Sequence, residues 1–171
     1  LRIIEPIIQK EKNNKRAIFY RAGLYILGEQ YDKSLEDYEY LIKADSINSE
    51  YYYRRTTVYE NLKQYDKALA DYNKAIELDP ENIQVYKDRS ILYQVLKQYE
   101  KALANQNKAI ELDPESSTSY FYKVSIYTVL KEYGKAKDII KIIRELDPKD
   151  PESYFQLAHI YNLEKKYTKS L

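Results

Sequence analysis

The sequence predicts an all-α fold in which antiparallel helix pairs stack as a repeat array. Three columns of residues in one register predict it. Tyr52, Tyr86, Tyr120 and Tyr154 lie 34 residues apart, and Pro80, Pro114 and Pro148 keep the same interval. Tyr31, Tyr65, Tyr99, Tyr133 and Tyr167 repeat it again. Each member of that last column is followed three residues on by a small side chain: Ser34, Ala68, Ala102, Ala136 or Ser170. A fixed period of this length marks an architecture whose unit is one supersecondary element, unable to bury its apolar face alone.

One unit shows why the element is a helix pair. In residues 49–82, Tyr52, Tyr59 and Leu62 fall on one helical face. Lys63-Gln64 is a short polar turn, after which Tyr65, Ala68, Leu69, Tyr72, Ala75 and Ile76 form a second apolar stripe at three- and four-residue steps. Asp79-Pro80 stops it, because proline carries no donor for the ladder and disfavours helical dihedrals at the residue before it. A two-residue turn forces the helices antiparallel. The small column is where helices approach closely, and the rings fill the space beside it.

The other units follow in register. Residues 1–14 fall where the second helix of a preceding unit belongs, with Pro6 restricting that helix to a short piece. Residues 15–48 are a diverged copy with Ser46 in the proline column, and 83–116 and 117–150 are further copies. Asp150-Pro151 is a good helix start, since aspartate caps and proline suits the first helical position. Residues 151–171 begin a fifth unit that ends just inside its second helix. Both ends look cut mid-repeat, so the sequence reads as a segment of a longer array.

Composition narrows the function. Net charge is +1, and residues 1–48 carry eight basic and eight acidic side chains, so no basic stripe exists to neutralise phosphates. Nucleic acid is not an expected partner. No apolar run reaches a spanning length, so membrane insertion is not expected either. There are no cysteines, which excludes disulfides and thiolate metal sites. No signal peptide is visible, and a cytoplasmic location is expected. With 21 tyrosines, much of the core is ring, and each buried hydroxyl needs a partner or water. Gln106 stands in a core column, where a hydrogen bond to a neighbouring Tyr hydroxyl is expected.

Chemistry is absent from the pattern. His159 is the single histidine and has no ligand companions, so neither a metal nor another cofactor is expected. Gly23, Gly28 and Gly134 cannot assemble a phosphate-cradling loop. Adjacent acids such as Glu36-Asp37 diverge in direction on a helix surface and make poor acid–base pairs. The sequence reads as non-enzymatic.

The units resemble tetratricopeptide repeats. Tyr52, Thr56, Tyr59, Ala68, Tyr72, Ala75 and Pro80 reproduce that family's order of bulky, small and aromatic residues before proline. The next unit keeps it through Tyr86, Ser90, Tyr93, Ala102, Ala109 and Pro114, with Gln106 at the second aromatic. The unit after departs further, with Val124 at a small position and Ile140 and Ile143 in its second helix. The resemblance implies a right-handed superhelical solenoid whose concave groove is lined by the first helices. It also implies a protein or peptide partner, held as an extended segment or a helix. The groove positions it implies are Phe19 and Gly23; Tyr53, Arg54 and Thr57; Lys87, Asp88 and Ile91; Phe121, Tyr122 and Ser125; and Phe155, Gln156 and His159. Aromatics recur among them, as in binding interfaces.

Within that family, the subclass that clamps a chaperone's C-terminal carboxylates needs paired Lys, Arg and Asn on successive first helices. Its places, counted from the first unit, hold Phe19, Gly23, Arg54, Gln84 and Asp88. One cation cannot make the charge-assisted clamp, so that ligand is not expected. Two other roles share the fold: a rigid spacer stacking end to end with further repeats, and the targeting arm of a larger enzyme.

Overall fold

A computed structural model describes residues 14–169. The expected remnant over 1–14 lies, but for Asn14, outside the described residues, as does Ser170. Nine α-helices occupy the described residues, which contain no strand: α1 (Lys15–Leu27), α2 (Tyr31–Ala44), α3 (Ser49–Asn61), α4 (Tyr65–Leu78), α5 (Ile83–Val95), α6 (Tyr99–Leu112), α7 (Ser117–Val129), α8 (Tyr133–Leu146) and α9 (Pro151–Lys169). The chain divides into two compact units, one ending at Val85 and the other beginning at Tyr86. In the first, α1 packs on α2, α2 on α3, α3 on α4, and α1 also touches α3. In the second, α6 packs on α7, α7 on α8 and α8 on α9.

The turns inside the pairs share one device. After α1, Glu29 N–H donates to Ile26 O at 3.0 Å and Gln30 N–H to Tyr25 O at 2.8 Å. After α3, Lys63 N–H donates to Glu60 O and Gln64 N–H to Tyr59 O; after α5 and α7 the same bonds recur from Lys97 and Gln98 and from Lys131 and Glu132. This is the Schellman cap, which satisfies two helix-end carbonyls and needs a left-handed residue. That residue is Glu29, Lys63, Lys97 or Lys131, with φ of 55–59°. No glycine occupies the position; Gly28 precedes Glu29 and has φ −93°. A side chain there costs about 1–2 kcal/mol. Gln30, Gln64, Gln98 and Glu132 then serve as the N-caps of the following helices, so each reversal takes only three residues between its helices.

The reversal holds because the second helix packs back. Ser34 Oγ donates to Ala22 O at 2.9 Å, and Ser90 Oγ donates to Ala102 O at 3.0 Å. These bonds join the small column of a first helix to that of a second, and Ala22, Ser34, Ser90 and Ala102 are all fully buried. A hydroxyl reaching the opposite backbone shows how near the helices lie. Around this seam, Ile18, Ala22, Tyr38, Leu41, Tyr51 and Val58 form the first unit's core cluster. Val124, Ala136, Ile140, Ile143 and Ile160 form a cluster in the second. Tyrosine hydroxyls reach the periphery: Tyr72 Oη donates to Glu60 Oε1 at 2.6 Å, Tyr52 Oη to Ser46 O at 3.1 Å and Tyr154 Oη to Pro148 O at 3.0 Å.

A polar column that the sequence reading missed lies beside the seam. Arg21 binds Asp37 through Nε at 2.8 Å and Nη2 at 2.6 Å, and Arg55 binds Asp71 at 2.7 and 2.8 Å. Both carboxylates are buried, so Asp37 is an interior ion-pair partner and not the surface acid expected of it. Such forked, charge-assisted pairs hold two helices in register. The column changes in the second unit, where Arg89 Nε donates to the neutral Asn105 Oδ1 at 2.8 Å and Lys123 lies opposite Ile139 in sequence register. The protonation equilibria follow the substitution. Burial opposes the Arg55 charge, but hydrogen bonding and attraction to Asp71 outweigh it and raise the pKa. Burial prevails at Arg89 and at Lys123, and lowers both.

Two sequence expectations meet a different outcome. Gln106 is fully buried, but neither its amide nitrogen nor its oxygen has a hydrogen-bond partner. The same column holds buried Tyr38, Tyr72 and Ile140, whose surroundings are apolar enough to leave an amide stranded. The register also places a reversal ahead of Tyr167, yet α9 runs unbroken from Pro151 to Lys169. Ala158 is exposed in α9, whereas its register mates Thr56, Ser90 and Val124 are buried. The start of α9 follows its sequence: Asp150 Oδ2 accepts from Ser153 N–H at 2.6 Å, capping a helix that opens on Pro151.

Replacing Lys63 by Gly is expected to raise unfolding free energy by about 0.5–1 kcal/mol in urea titrations, and replacement by Val to lower it by about 1 kcal/mol. A fall with Gly would refute the strain assigned to these turns. Gln106→Leu is expected to stabilise the chain by about 1–3 kcal/mol, the cost of desolvating an unpaired amide; the midpoint of chemical denaturation reads it.

Candidate binding surface

The first helices carry the candidate residues. In the first unit, α1 and α3 present them side by side. Phe19 is the hub of an aromatic cluster, with ring centroids 6.0 Å from Tyr20, 6.2 Å from Tyr38 and 5.8 Å from Tyr51. Phe19 and Tyr38 line a cavity of about 560 Å³ with Tyr20, Gly23, Leu24, Ile26, Leu27, Arg54 and Thr57. Its walls are mostly apolar. Four of the five candidates of this unit, Phe19, Gly23, Arg54 and Thr57, therefore converge on one cavity. Tyr53 stands outside it, half-buried, its ring 6.4 Å from that of Tyr72 and under the Arg54 guanidinium at 5.2 Å. Arg54 Nε also donates to Glu50 Oε1 at 2.6 Å, one helical turn back.

Tyr38 closes the cavity floor and is 1% exposed. Burial pushes its phenol up to about 12 from the usual 10, against a smaller opposing pull from Arg54. A proton held more tightly in the folded chain contributes stability below pH 10, and this is lost as pH climbs through 10 towards 12.

In the second unit the candidates are less concentrated. Phe121, Tyr122 and Ser125 of α7 meet Glu152 and Gln156 of α9 around a more polar cavity of about 330 Å³ that also takes in Thr118. Phe155 is 66% exposed and stands apart from that cavity, as does the exposed His159. Lys87 turns aside, its Nζ donating to Ser116 Oγ at 2.9 Å. Asp88 is half-buried on α5 and also lies off the cavity. Among the described residues, no cluster of three His, Asp or Glu side chains could hold a metal ion, and no helix is long and apolar enough to cross a membrane.

Sequence reasoning placed the first-helix residues but not the features that make the cavity. Tyr20, Leu24, Ile26, Leu27 and Tyr38 were unremarked as site residues. Arg21, Arg55, Asp37 and Asp71, which tie each first helix to its second, were missed as well. The signal was present: a cation and an acid recur 16 residues apart in two successive units.

Comparison with known proteins gives this architecture its class. Residues 49–82 match one tetratricopeptide repeat family model and residues 71–104 match a second. The two matches begin 22 residues apart, as different phases of one period allow. Residues 49–104 thus carry tetratricopeptide repeat sequence. Among solved structures it is similar to YrrB, described as a TPR protein with an unusual peptide-binding site, at 20% identity and a TM-score of 0.71, over 98% of this chain and 87% of that one. It is also similar to MamA from Desulfovibrio magneticus RS-1 (16% identity, TM-score 0.74, 92% and 89% covered). A third likeness is TTC0263, a thermophilic TPR protein of Thermus thermophilus (16% identity, TM-score 0.69, 92% and 87% covered). At these identities the likeness is one of fold. No curated protein sequence matches the chain. The family is one of protein interaction scaffolds, and the fold implies protein partners.

Tyr38→Phe is expected to flatten the alkaline limb of the stability curve. Between about pH 9.5 and 11.5 the wild type should lose more unfolding free energy than the variant, read by urea midpoints at each pH; equal losses would contradict the burial assigned to this phenol.

Proposed function

We propose that this chain is a non-catalytic adaptor that holds a peptide or a helix of another protein against the faces of its first helices. The observation that carries this reading is the pairing of aromatic side chains with open cavities on those helices: Phe19 and Tyr20 in the first unit, Phe121 and Tyr122 in the second. Rigid rings provide contact area at low entropic cost and are enriched at interface hot spots. The peptide-binding site for which YrrB is described belongs to that protein; it supports the reading only as a precedent on a similar fold. The carboxylate-clamp mode of chaperone recognition stays disfavoured, because Arg54 is the one cation among the five clamp places read from the first unit.

A second reading has its own observation. The inner face of α9 leaves Tyr154 and Tyr161 about half exposed, at 48% and 54%, where Tyr86 of an earlier first helix is 6% exposed. An exposed aromatic face of this kind suits end-to-end stacking with further repeats or with another chain. Concentration-dependent light scattering, abolished by Tyr161→Glu, separates this spacer role from groove binding.

For the adaptor reading, Tyr53→Ala and Phe121→Ala are expected to weaken a captured peptide about tenfold each while leaving the helical circular dichroism signal and melting temperature near wild type. Undiminished capture by both variants would sink it.

A further inference from the structure

Gly23 is a mid-helix glycine that local structure does not require. It lies within α1, it does not have positive φ, and a Cβ built on it meets no atom within 4 Å. Neither conformational freedom nor close helix approach accounts for it, and glycine is the least favourable helix residue after proline. What its bare backbone does is deepen the cavity between Phe19, Leu24, Leu27 and Thr57. The cavity's size lies within the range of about 300–1,000 Å³ common to ligand pockets. Two arginines stand at its walls, Arg54 among the lining residues and Arg16 beside Tyr20. Helix α1 contains no acidic residue. Arg16 is exposed and stands 5.7 Å from the ring of Tyr20, a wall residue, and it has no ion-pair partner among the described residues. On the opposite wall, Glu50 engages Arg54 through Nε only, so its two terminal amino groups carry no hydrogen bond among the described residues.

We infer that the cavity over Gly23 is an anchor pocket for one bulky aliphatic or aromatic side chain of a partner peptide that carries an acidic residue beside that anchor. The apolar walls take the side chain, and Arg16 and Arg54 face the neighbouring carboxylate. The inference rests on the reading of the first-helix faces as a peptide surface and narrows it to a position and a chemistry. Glycine keeps this wall open; any larger residue at this place projects into the volume the anchor needs.

The test selects random phage-displayed peptides on the full chain and measures fluorescein-labelled synthetic versions by anisotropy. Selected peptides are expected to share Leu, Ile or Phe next to Asp or Glu. Changing that anchor to Ala should weaken binding about tenfold or more. Gly23→Leu should weaken it to a similar degree with a melting temperature no lower than wild type, since leucine favours the helix and fills open space. Gly23→Ala, which adds one methyl group, guards against a folding artefact and should give a smaller loss of the same sign. Arg54→Gln should weaken acidic peptides and leave their Gln-substituted versions unchanged. Unchanged affinity in both Gly23 variants, or selected peptides without a shared apolar anchor, would overturn the pocket. If Tyr53→Ala weakens binding and neither Gly23 variant does, the peptide surface survives and the pocket fails. If no peptide binds, both fall.

Discussion

Close approach at the paired small columns is the constraint on which each helix pair depends. Where Ser34 reaches the carbonyl of Ala22, and Ser90 that of Ala102, the two backbones of a pair come within one hydroxyl of each other. That proximity lets the large rings of the tyrosine columns pack beside the seam. It also makes the reversal between helices so short that the chain must enter a left-handed conformation at Glu29, Lys63, Lys97 and Lys131. The strain at the turn and the packing at the seam are two sides of one arrangement.

Electrostatics is layered on that frame unevenly. The forked Arg21–Asp37 and Arg55–Asp71 pairs tie first helix to second inside the first unit. Removing one member of such a pair leaves a buried charge, so the pairs act more as devices of register than as sources of net stability. In the second unit Asn105 and Ile139 replace the acids, and burial depresses the protonation of Arg89 and Lys123. Apolar packing around Ile140, Ile143 and Ile160 takes over there. The two halves of one repetitive sequence thus meet the same packing problem by different means.

The surface left over by this packing is where we propose that a partner docks. A first helix uses one face for its own second helix and another for its neighbours, and the residues that remain are Phe19, Tyr20 and Gly23 on α1, Arg54 and Thr57 on α3, and Phe121 and Tyr122 on α7. Their usefulness depends on buried supports such as Tyr38, which the repeat pattern places for core reasons and which becomes a cavity floor as a consequence. Fold and site are therefore coupled through side chains that serve both.

The 34-residue recurrence of tyrosine, small residue and proline was enough, by itself, to determine the helix pairs and breaks over residues 15–150 and the class of fold, because each of those features follows from periodicity and local chain stereochemistry. The candidate groove positions on the first helices came from the resemblance to tetratricopeptide repeats and not from spacing alone. Tertiary structure decided the rest. Whether Asp37 faces solvent or Arg21, whether Gln106 finds a partner, whether Lys87 points at a ligand or at Ser116, and whether a cavity opens over Gly23 all depend on which atoms from other helices arrive nearby. Those neighbours lie far along the chain from the residues they meet, and the spacing of a repeat says that they meet without saying what they leave between them.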